Sequence, residues 1–369
     1  MKKLMFLLSL LLSPQLMAVT CEWPQWSNFK SIYIENGRVI DGSDERLITT
    51  SEGQSYALFF ALVANDQQTF DQVLKWTQAN LAGGDLTARL PAWLWGKRLD
   101  GQFGILDTNP ASDSDLWIAY ALGEAGRLWN NYYYQSLGHL LAARILREES
   151  VDVAGVGTTL LPAPKGFDLG KGSYRLNPSY VPLQLIARMK DLYPQYSWAS
   201  MYQSSTLILG QTLTAGFSPD WVTLNGKGFS EDKVTGPIGS YNAIRTYLWV
   251  GMLNEKNKEK EHLVKKMGPF ATAIEQLGAP PREVDTETGK YSQPGSAGFS
   301  AAALPLLASM DYSNLLEAQV TRAQNQLVTS RNDHYYDNVL SLFGLGWYNE
   351  RFRFGEYGEL QPAWGKQCQ

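Results

Sequence analysis

The chain has 369 residues, a formal net charge of −4 and only two cysteines. An apolar content of 44% with 18% charged residues indicates a globular protein with a large core and little disorder. An acidic chain without basic blocks binds nucleic acid poorly, so we expect no nucleic-acid partner.

The N-terminus has the pattern of a secretory signal peptide. A positive start and an apolar run over 4–12 precede the small residue Ala18. This run is shorter than the ~20 residues that span a bilayer. We therefore predict cleavage after Ala18, a periplasmic or secreted protein, and no membrane insertion of the mature chain. Lipid attachment at Cys21 is the alternative, although Thr20 is not the small residue expected ahead of a lipidated cysteine.

The two cysteines, Cys21 and Cys368, lie near the two ends of the mature chain. Disulfides persist in the compartments that exported proteins reach. We predict a bridge between these cysteines, which the loop-entropy account expects to stabilise the fold by ~3–5 kcal/mol. The alternative is two separate thiols.

Apolar residues spaced three and four apart predict helices along most of the chain. The clearest stripes cover 70–81 after a start at Asp66, 133–145 and 316–327, and further helices are predicted near 53–64, 113–130, 180–193, 199–213, 240–253, 258–277, 299–309 and 333–347. The helix near 113–130 is apolar almost all round, as expected for a helix buried on most sides. Buried helices that alternate with amphipathic ones predict an all-α barrel of two concentric layers.

No linker divides residues 19–369, so we expect a single domain. The connections at 82–112 and 216–240 are long and rich in Gly, Pro, Asp and Trp. Such loops are the expected place for a functional site and for short strands.

The three histidines, His139, His262 and His334, show no ligand spacing, and the chain has no phosphate-binding P-loop. We therefore expect no metal and no cofactor, and any chemistry falls to carboxylates. The 12 Trp, 19 Tyr and 14 Phe are suited to hold the flat faces of sugar rings, although large aromatics also fill cores. Loop aromatics are the better candidates, including Trp93, Trp95, Tyr174 and Trp221.

Two acidic segments each place a carboxylate directly ahead of an apolar helix. One contains Glu52, and the other contains Asp113 and Asp115. Helix capping is the simplest account of both, with Thr49 and Glu52 as a capping box and Ser112 or Asp113 as an N-cap. A pair of catalytic carboxylates is the functional account.

The second acidic segment resembles the signature of glycoside hydrolase family 8. Only Ser114 departs from that signature, and the matching residues are Ala111, Ser112, Asp113, Asp115, Ile118, Ala119, Ala125 and Trp129. The resemblance extends over nearly all of the mature chain, from Cys21 to Cys368. It implies an (α/α)6 barrel with an open groove and inverting hydrolysis of internal bonds in a β-1,4-glucan such as cellulose.

The resemblance is strongest to the branch of the family that acts during bacterial cellulose synthesis. It implies two partners, a β-1,4-glucan chain and the cellulose synthase export complex, and we expect a monomer. By position, Glu52 would be the general acid, and Asp113 would hold the hydroxyls of the distorted sugar and raise the pKa of Glu52. Contacts with sugar are implied for Trp95, Tyr180, Tyr241 and Arg245.

One position departs from the family pattern. Inverting hydrolysis needs a general base ~6.5–9.5 Å from the acid, and much of the family has an Asp where this chain has Asn242. Glu231 or Asp232 is a candidate substitute and Asp220 a weaker one, although loop carboxylates are more often simply solvated. Alternatively the chain binds glucan with weak or no hydrolysis, Asn242 is an engineered substitution that traps substrate, or the substrate is another β-glycan.

Overall fold

The computed structural model describes residues 22–367. The signal peptide predicted for 1–18 and the bridge predicted between Cys21 and Cys368 lie outside the described residues, so both stay predictions.

Helices form most of the described chain. Their bounds are α1 Pro24–Tyr33, α2 Ser51–Val63, α3 Gln67–Leu81, α4 Ser112–Leu128, α5 Tyr132–Glu148, α6 Leu183–Leu192, α7 Trp198–Thr212, α8 Ala243–Gly251, α9 Lys260–Lys266, α10 Gly268–Leu277, α11 Ala297–Ala308, α12 Ser313–Gln326, α13 Tyr335–Tyr348 and α14 Trp364–Gln367. Two 3-10 turns, Pro178–Tyr180 and Asn332–His334, precede α6 and α13.

The helices form two layers, as the sequence predicts. The inner layer contains α2, α4, α6, α8, α11 and α13, which are buried along most of their length. In α2, every residue except Glu52 is buried. Helices such as α3 and α5 pack outside this layer and bury only one stripe. The ring closes where Phe343 of α13 packs against Phe60 of α2, with ring centroids 4.6 Å apart.

The N-termini of the inner helices meet at one end of the barrel. Arg245, in the first turn of α8, reaches Glu52 and Asp113 in the first turns of α2 and α4. Tyr241, just ahead of α8, packs on Phe299 in the first turn of α11. The predicted (α/α)6 barrel is therefore confirmed, and its helix starts define a single candidate face.

Short strands lie in the loops, as predicted. Their bounds are β1 Ile34–Glu35, β2 Arg38–Val39, β3 Thr49–Thr50, β4 Leu94–Lys97, β5 Phe103–Asp107, β6 Ser150–Val153, β7 Gly157–Leu160, β8 Asp168–Gly170, β9 Ser173–Leu176, β10 Val222–Asn225, β11 Gly228–Glu231, β12 Ile238–Gly239, β13 Val284–Asp285, β14 Phe352–Phe354 and β15 Leu360–Pro362. The antiparallel sheet β3-β4-β5 brings Trp95 opposite Thr49, and a four-stranded sheet has the order β11-β10-β9-β8.

Two sequence predictions about helices need correction. The single helix predicted over 258–277 is two helices, α9 and α10, because Gly268 and Pro269 interrupt it and proline cannot donate a backbone hydrogen bond. Helix α1 was not predicted, although Pro24 begins it and its buried residues keep helical spacing. Within 22–367, no helix combines the length and apolarity needed to cross a bilayer.

Candidate active site

Glu52 lies in the first turn of α2, where its carboxylate pairs with Arg245 and does not cap the helix. The N-cap of α2 is Thr50, whose Oγ1 accepts a hydrogen bond from the Gly53 N–H at 3.0 Å. Thr49 instead donates its hydroxyl to the Val39 carbonyl at 2.6 Å. The predicted capping box of Thr49 and Glu52 is therefore wrong, because Glu52 pairs with Arg245.

Asp113 occupies the corresponding position in α4. The N-cap of α4 is Ala111, without a side-chain cap, so the prediction that Ser112 or Asp113 caps this helix is also wrong. The Asp113 side chain is almost fully buried, at 4% exposure. Its Oδ1 accepts from the Ser114 N–H at 2.7 Å, and its Oδ2 accepts from Arg245 Nη1 at 3.2 Å.

The Arg245 guanidinium joins three inner helices. Its Nη1 donates to the Glu52 carboxylate, to Asp113 and to the Tyr56 hydroxyl at 3.1 Å. Its Nη2 donates to Asn242 Oδ1 at 2.9 Å. Glu52 and Asp113, far apart in sequence, are thus held around one buried cation.

Burial controls the proton affinity of Glu52. Desolvation raises the pKa of Glu52 to about 7, Arg245 opposes this shift, and the Asp113 charge adds to it. Burial also raises the pKa of Asp113, against the effects of Arg245 and Ser114. Glu52 remains a quarter exposed, at 25% of its side chain. A partly accessible carboxyl group that keeps its proton near neutral pH has the properties of a general acid.

Asn242 lies beside this cluster, directly before α8. Its Oδ1 accepts hydrogen bonds from Arg245 and, at 3.1 Å, from Asn177 Nδ2. The backbone N–H of Asn242 donates to Asp220 at 3.0 Å. Asp220 also accepts from the Ser240 N–H and hydroxyl and from the Ala243 N–H, so this carboxylate caps α8.

The two other carboxylates proposed as substitute bases lie on the β10–β11 hairpin. Asp232 is 2% exposed and forms an ion pair with Arg175, 2.9 Å away, and also bonds Thr235. Burial opposes ionisation, but these hydrogen bonds hold the pKa of Asp232 below its usual value. Glu231 is exposed beside a cavity of about 130 Å³ near Trp221. Within 22–367, no hydrogen bond or ion pair joins Glu231 or Asp232 to Glu52.

The aromatic side chains near Glu52 differ in how free their rings are. Trp95 is half-buried, stacks on Phe103 at 5.2 Å, and has the Arg38 guanidinium 4.3 Å from its ring centre. Trp93 is 36% exposed, and its carbonyl accepts from the Ser51 N–H at 3.0 Å. Trp93 is therefore the more exposed of the two tryptophans, and its backbone bonds the residue before Glu52.

Tyr180 and Tyr241 differ in what their rings contact. The Tyr180 ring centre is 5.7 Å from the Arg245 guanidinium carbon. Tyr241 is 49% exposed, and its carbonyl accepts from the Tyr336 hydroxyl at 2.6 Å. The structure thus places Tyr180 beside Arg245 and Tyr241 against Phe299 and Tyr336, whereas Glu231 and Asp232 lie at the end of the β10–β11 hairpin.

Sequence reasoning missed Tyr56 and Tyr336. Tyr56 follows Glu52 by four residues, the spacing that places two side chains on one helix face. This spacing was therefore a sequence signal that Tyr56 lies beside Glu52. Tyr336 comes from the distant helix α13 and had no such signal.

Comparisons with known proteins identify the family of this chain. The profile of glycosyl hydrolases family 8 matches residues 3–350. The chain belongs to glycosyl hydrolase family 8. An endoglucanase of Escherichia coli O157:H7 is 46% identical over 366 residues, which cover 97% of this chain and 96% of that protein. An endoglucanase of Salmonella typhi is 45% identical over 353 residues, covering 94% and 93%.

The fold of this family 8 hydrolase also matches a solved structure. The crystal structure of an endo-1,4-D-glucanase from Vibrio fischeri ES114 has a TM-score of 0.91 and 55% sequence identity to it, covering 94% of this chain and all of that one. The Glu52, Asp113 and Arg245 cluster therefore lies at the helix starts of a family 8 glycosyl hydrolase fold.

Proposed function

We propose that this family 8 hydrolase is an inverting endo-β-1,4-glucanase that cuts internal bonds of a cellulose-like chain. The observation that carries the proposal is the pairing of Glu52 with Arg245 and Asp113 at the helix starts, with the Glu52 pKa near 7. The endoglucanase names of relatives similar over almost the full chain support this substrate class.

In the proposed reaction, Glu52 donates its proton to the glycosidic oxygen as the bond breaks. A water molecule bonds to the sugar carbon from the opposite face and releases its proton to solvent, which reprotonates Glu52. The Asp113 carboxylate holds the hydroxyls of the distorted sugar and stabilises the positive charge that develops on its ring. Arg245 orients both carboxyl groups through Nη1. Tyr180, Tyr241 and the tryptophans near Glu52 would contact the sugar faces.

We propose further that no carboxylate replaces the missing base at Asn242. Asp220 and Asp232 each accept several hydrogen bonds that build their loops, and within 22–367 no hydrogen bond or ion pair joins Glu231 to Glu52 or Asn242. An amide cannot accept the proton of the attacking water, and loss of a general base typically costs ~10²–10⁴ in rate. Slow hydrolysis is the consequence.

The amide of Asn242 at the position of the general base supports a second candidate function, a glucan-binding protein with little or no hydrolysis. Binding depends on the aromatic and hydroxyl-binding groups, which Asn242 leaves intact. A hydrolase of another β-glycan is the third candidate, since chain similarity alone does not fix the sugar.

The cellular setting is also proposed from the sequence. An N-terminal signal segment favours export to the periplasm or the medium, where a monomeric enzyme would meet glucan emerging from a cellulose synthase export complex.

The test compares the wild-type chain with Glu52→Gln on soluble cellulose derivatives, mixed-linkage glucan, xylan and chitosan. We expect wild type to release new reducing ends slowly and to lower the viscosity of the cellulose derivative early, as endo cleavage requires. Glu52→Gln should bind cello-oligosaccharides and release no ends. Binding without any release by wild type would leave only the glucan-binding function, and preferred cleavage of another glycan would replace the substrate.

A further inference from the structure

Two further carboxyl groups are buried directly behind the site, and the proposed reaction does not use them. Asp115 lies two residues after Asp113, and Glu149 follows the last residue of α5. Both are 0% exposed. Positions two apart on a helix point about 200° away from each other, so Asp113 faces Arg245 while Asp115 faces α5.

The four carboxyl oxygens of this pair have only each other as partners. Within 22–367, none of them accepts a hydrogen bond from a donor group of another residue. Two ionised carboxylates cannot hydrogen-bond, because both are acceptors only. A proton placed on one of them turns the contact into a hydrogen bond between Asp115 and Glu149.

The groups around Asp115 and Glu149 also favour a proton on this pair. The charged groups that act on it are Asp113 of α4 and Glu148 of α5, and both are acidic. Glu148 is itself paired with Arg144 and Arg147. Burial is the largest cause that raises the pKa of both Asp115 and Glu149 well above the usual values. A buried pair without a cation keeps at least one proton at neutral pH.

The pair lies where it can fix the first turn of α4. The Ser112 N–H donates to the Pro162 carbonyl at 3.0 Å, and the Leu161 N–H donates to the Glu149 carbonyl at 2.8 Å. The segment 161–162 thereby ties the start of α4 to the end of α5. A hydrogen bond between the Asp115 and Glu149 side chains closes the same junction from inside, next to Asp113.

We propose that Asp115 and Glu149 share a proton as a buried acid pair and thereby position Asp113 for the reaction proposed above. Both are positioning residues, since neither touches Glu52 or the space for substrate. Ionisation of the whole pair would place two uncompensated charges behind Asp113 and force the helix start away from α5. The positioning role rests on the proposed function, whereas the shared proton does not.

Whether Asp115 and Glu149 hold a proton is tested without substrate. The free energy of unfolding in urea is measured between pH 5.5 and 7.5. A raised native pKa means that the folded state binds a proton that the unfolded chain, with carboxyl pKa values near ~4, releases. Stability is therefore lost as pH rises through this window, by about tenfold in the folding equilibrium for each pH unit and each such proton. Glu149→Gln should bind one proton fewer and flatten this dependence accordingly. Glu148→Gln, the matched control one residue away, should keep the wild-type dependence.

The positioning role is tested by kinetics and by the affinity for a cello-oligosaccharide. The amide of Glu149→Gln still donates a hydrogen bond to Asp115, so kcat should stay within about threefold of wild type. Glu149→Leu removes the hydrogen bond and should lower kcat at least tenfold with little change in KM. Asp115→Asn is a second variant that keeps a hydrogen-bond donor in the pair, so its kcat should stay near that of wild type. This result can be measured even if Glu149→Leu does not fold.

Three results would overturn the proposal. They are a wild-type pH dependence of stability in Glu149→Gln, a kcat for Glu149→Leu equal to that of Glu149→Gln, or a tenfold loss in Asp115→Asn. If wild type neither cuts nor binds glucan, the proposed function fails, while the unfolding data still decide whether the pair shares a proton.

Discussion

Arg245 supplies the positive charge of the carboxylate cluster. It is one buried guanidinium facing two largely buried carboxyl groups, Glu52 and Asp113. One cation cannot neutralise two carboxylates, so the arrangement favours one proton on the pair. Glu52 is the more exposed of the two, which favours it as the donor in the proposed reaction.

Asp113→Asn should move the alkaline limb of the pH profile to lower pH. The Asp113 charge raises the pKa of Glu52, and a general acid must be protonated to act. Removing that charge lowers the pKa of Glu52, so activity is lost at lower pH as the pH rises. We also expect kcat to fall on the order of 10²-fold, because a charge that stabilises the transition state is removed.

The pH dependence of kcat/KM checks this shift, with Glu231→Gln as the control. Glu231 has no hydrogen bond or ion pair to Glu52 within 22–367, so its substitution should leave the limb in place. An unchanged limb in Asp113→Asn would mean that Asp113 does not influence the proton on Glu52.

At the residue scale, the sequence predicts Glu52 and Asp113 as the acidic residues but does not predict the hydrogen bonds that hold their side chains. The signature around Asp113 and the resemblance at Glu52 identify both groups. The capping predictions were wrong because the N-caps of α2 and α4 are Thr50 and Ala111, which lie next to the expected caps Thr49 and Ser112. The contacts of Arg245 with Glu52 and Asp113 join α8 to α2 and α4, and only the fold reveals them together.

At the scale of elements, glycines set how closely the inner helices approach. A Cβ added to Gly344 of α13 would lie 1.8 Å from the Ala301 carbonyl oxygen of α11. A Cβ on Gly251 at the end of α8 would lie 2.2 Å from the Leu306 N. The three helices therefore touch backbone to backbone along this side of the ring.

Gly344→Ala should destabilise the protein by about 1–3 kcal/mol, because the added methyl group forces α13 away from α11. Gly210→Ala is the matched control, since Gly210 lies in helix α7 with no atom within 4 Å of an added Cβ. This control should be neutral or stabilising by up to ~1 kcal/mol, as alanine favours helix. Urea unfolding of both variants checks the pair, and equal stabilities would contradict the close approach.

Periodicity predicted the helices well where their stripes were long. The stripes at 70–81 and 133–145 lie inside α3 and α5. The break between α9 and α10 was missed because the apolar spacing continues through Gly268 and Pro269. Strands of two to five residues give too little periodicity to be located in advance.

At the scale of the whole molecule, one aromatic cluster holds the centre of the barrel. Phe343 of α13 packs on Tyr56 at 5.0 Å, on Trp117 at 5.3 Å and on Trp249 at 5.0 Å. These rings come from α2, α4 and α8, so a single side chain joins four inner helices. The same helices begin at the face that carries Glu52.

Phe343→Ala should cost about 3–5 kcal/mol of stability, because it leaves a cavity where four helices meet. Tyr357→Ala is the control, since Tyr357 is 56% exposed, and its effect should stay within about 0.5 kcal/mol. Chemical denaturation measures both. A loss below about 1 kcal/mol for Phe343→Ala would show that the barrel centre does not depend on this cluster.

The closed order of the barrel was predicted from family resemblance, because periodicity indicated only two helical layers. Helical spacing says which face of a helix is buried, and it does not say which helix covers that face. The contact between α2 and α13 joins residues near opposite ends of the chain, such as Phe60 and Phe343. No local pattern could have predicted it.

The most direct test of the central claim compares the turnover of wild type, Asn242→Asp and Asn242→Asp combined with Glu52→Gln on one cello-oligosaccharide. If Glu52 is the acid of a hydrolase whose base is missing, Asn242→Asp should raise kcat by ~10²–10⁴-fold. The added Glu52→Gln should abolish that gain. An Asn242→Asp variant no faster than wild type, or one that stays active without the Glu52 carboxyl group, would contradict the account.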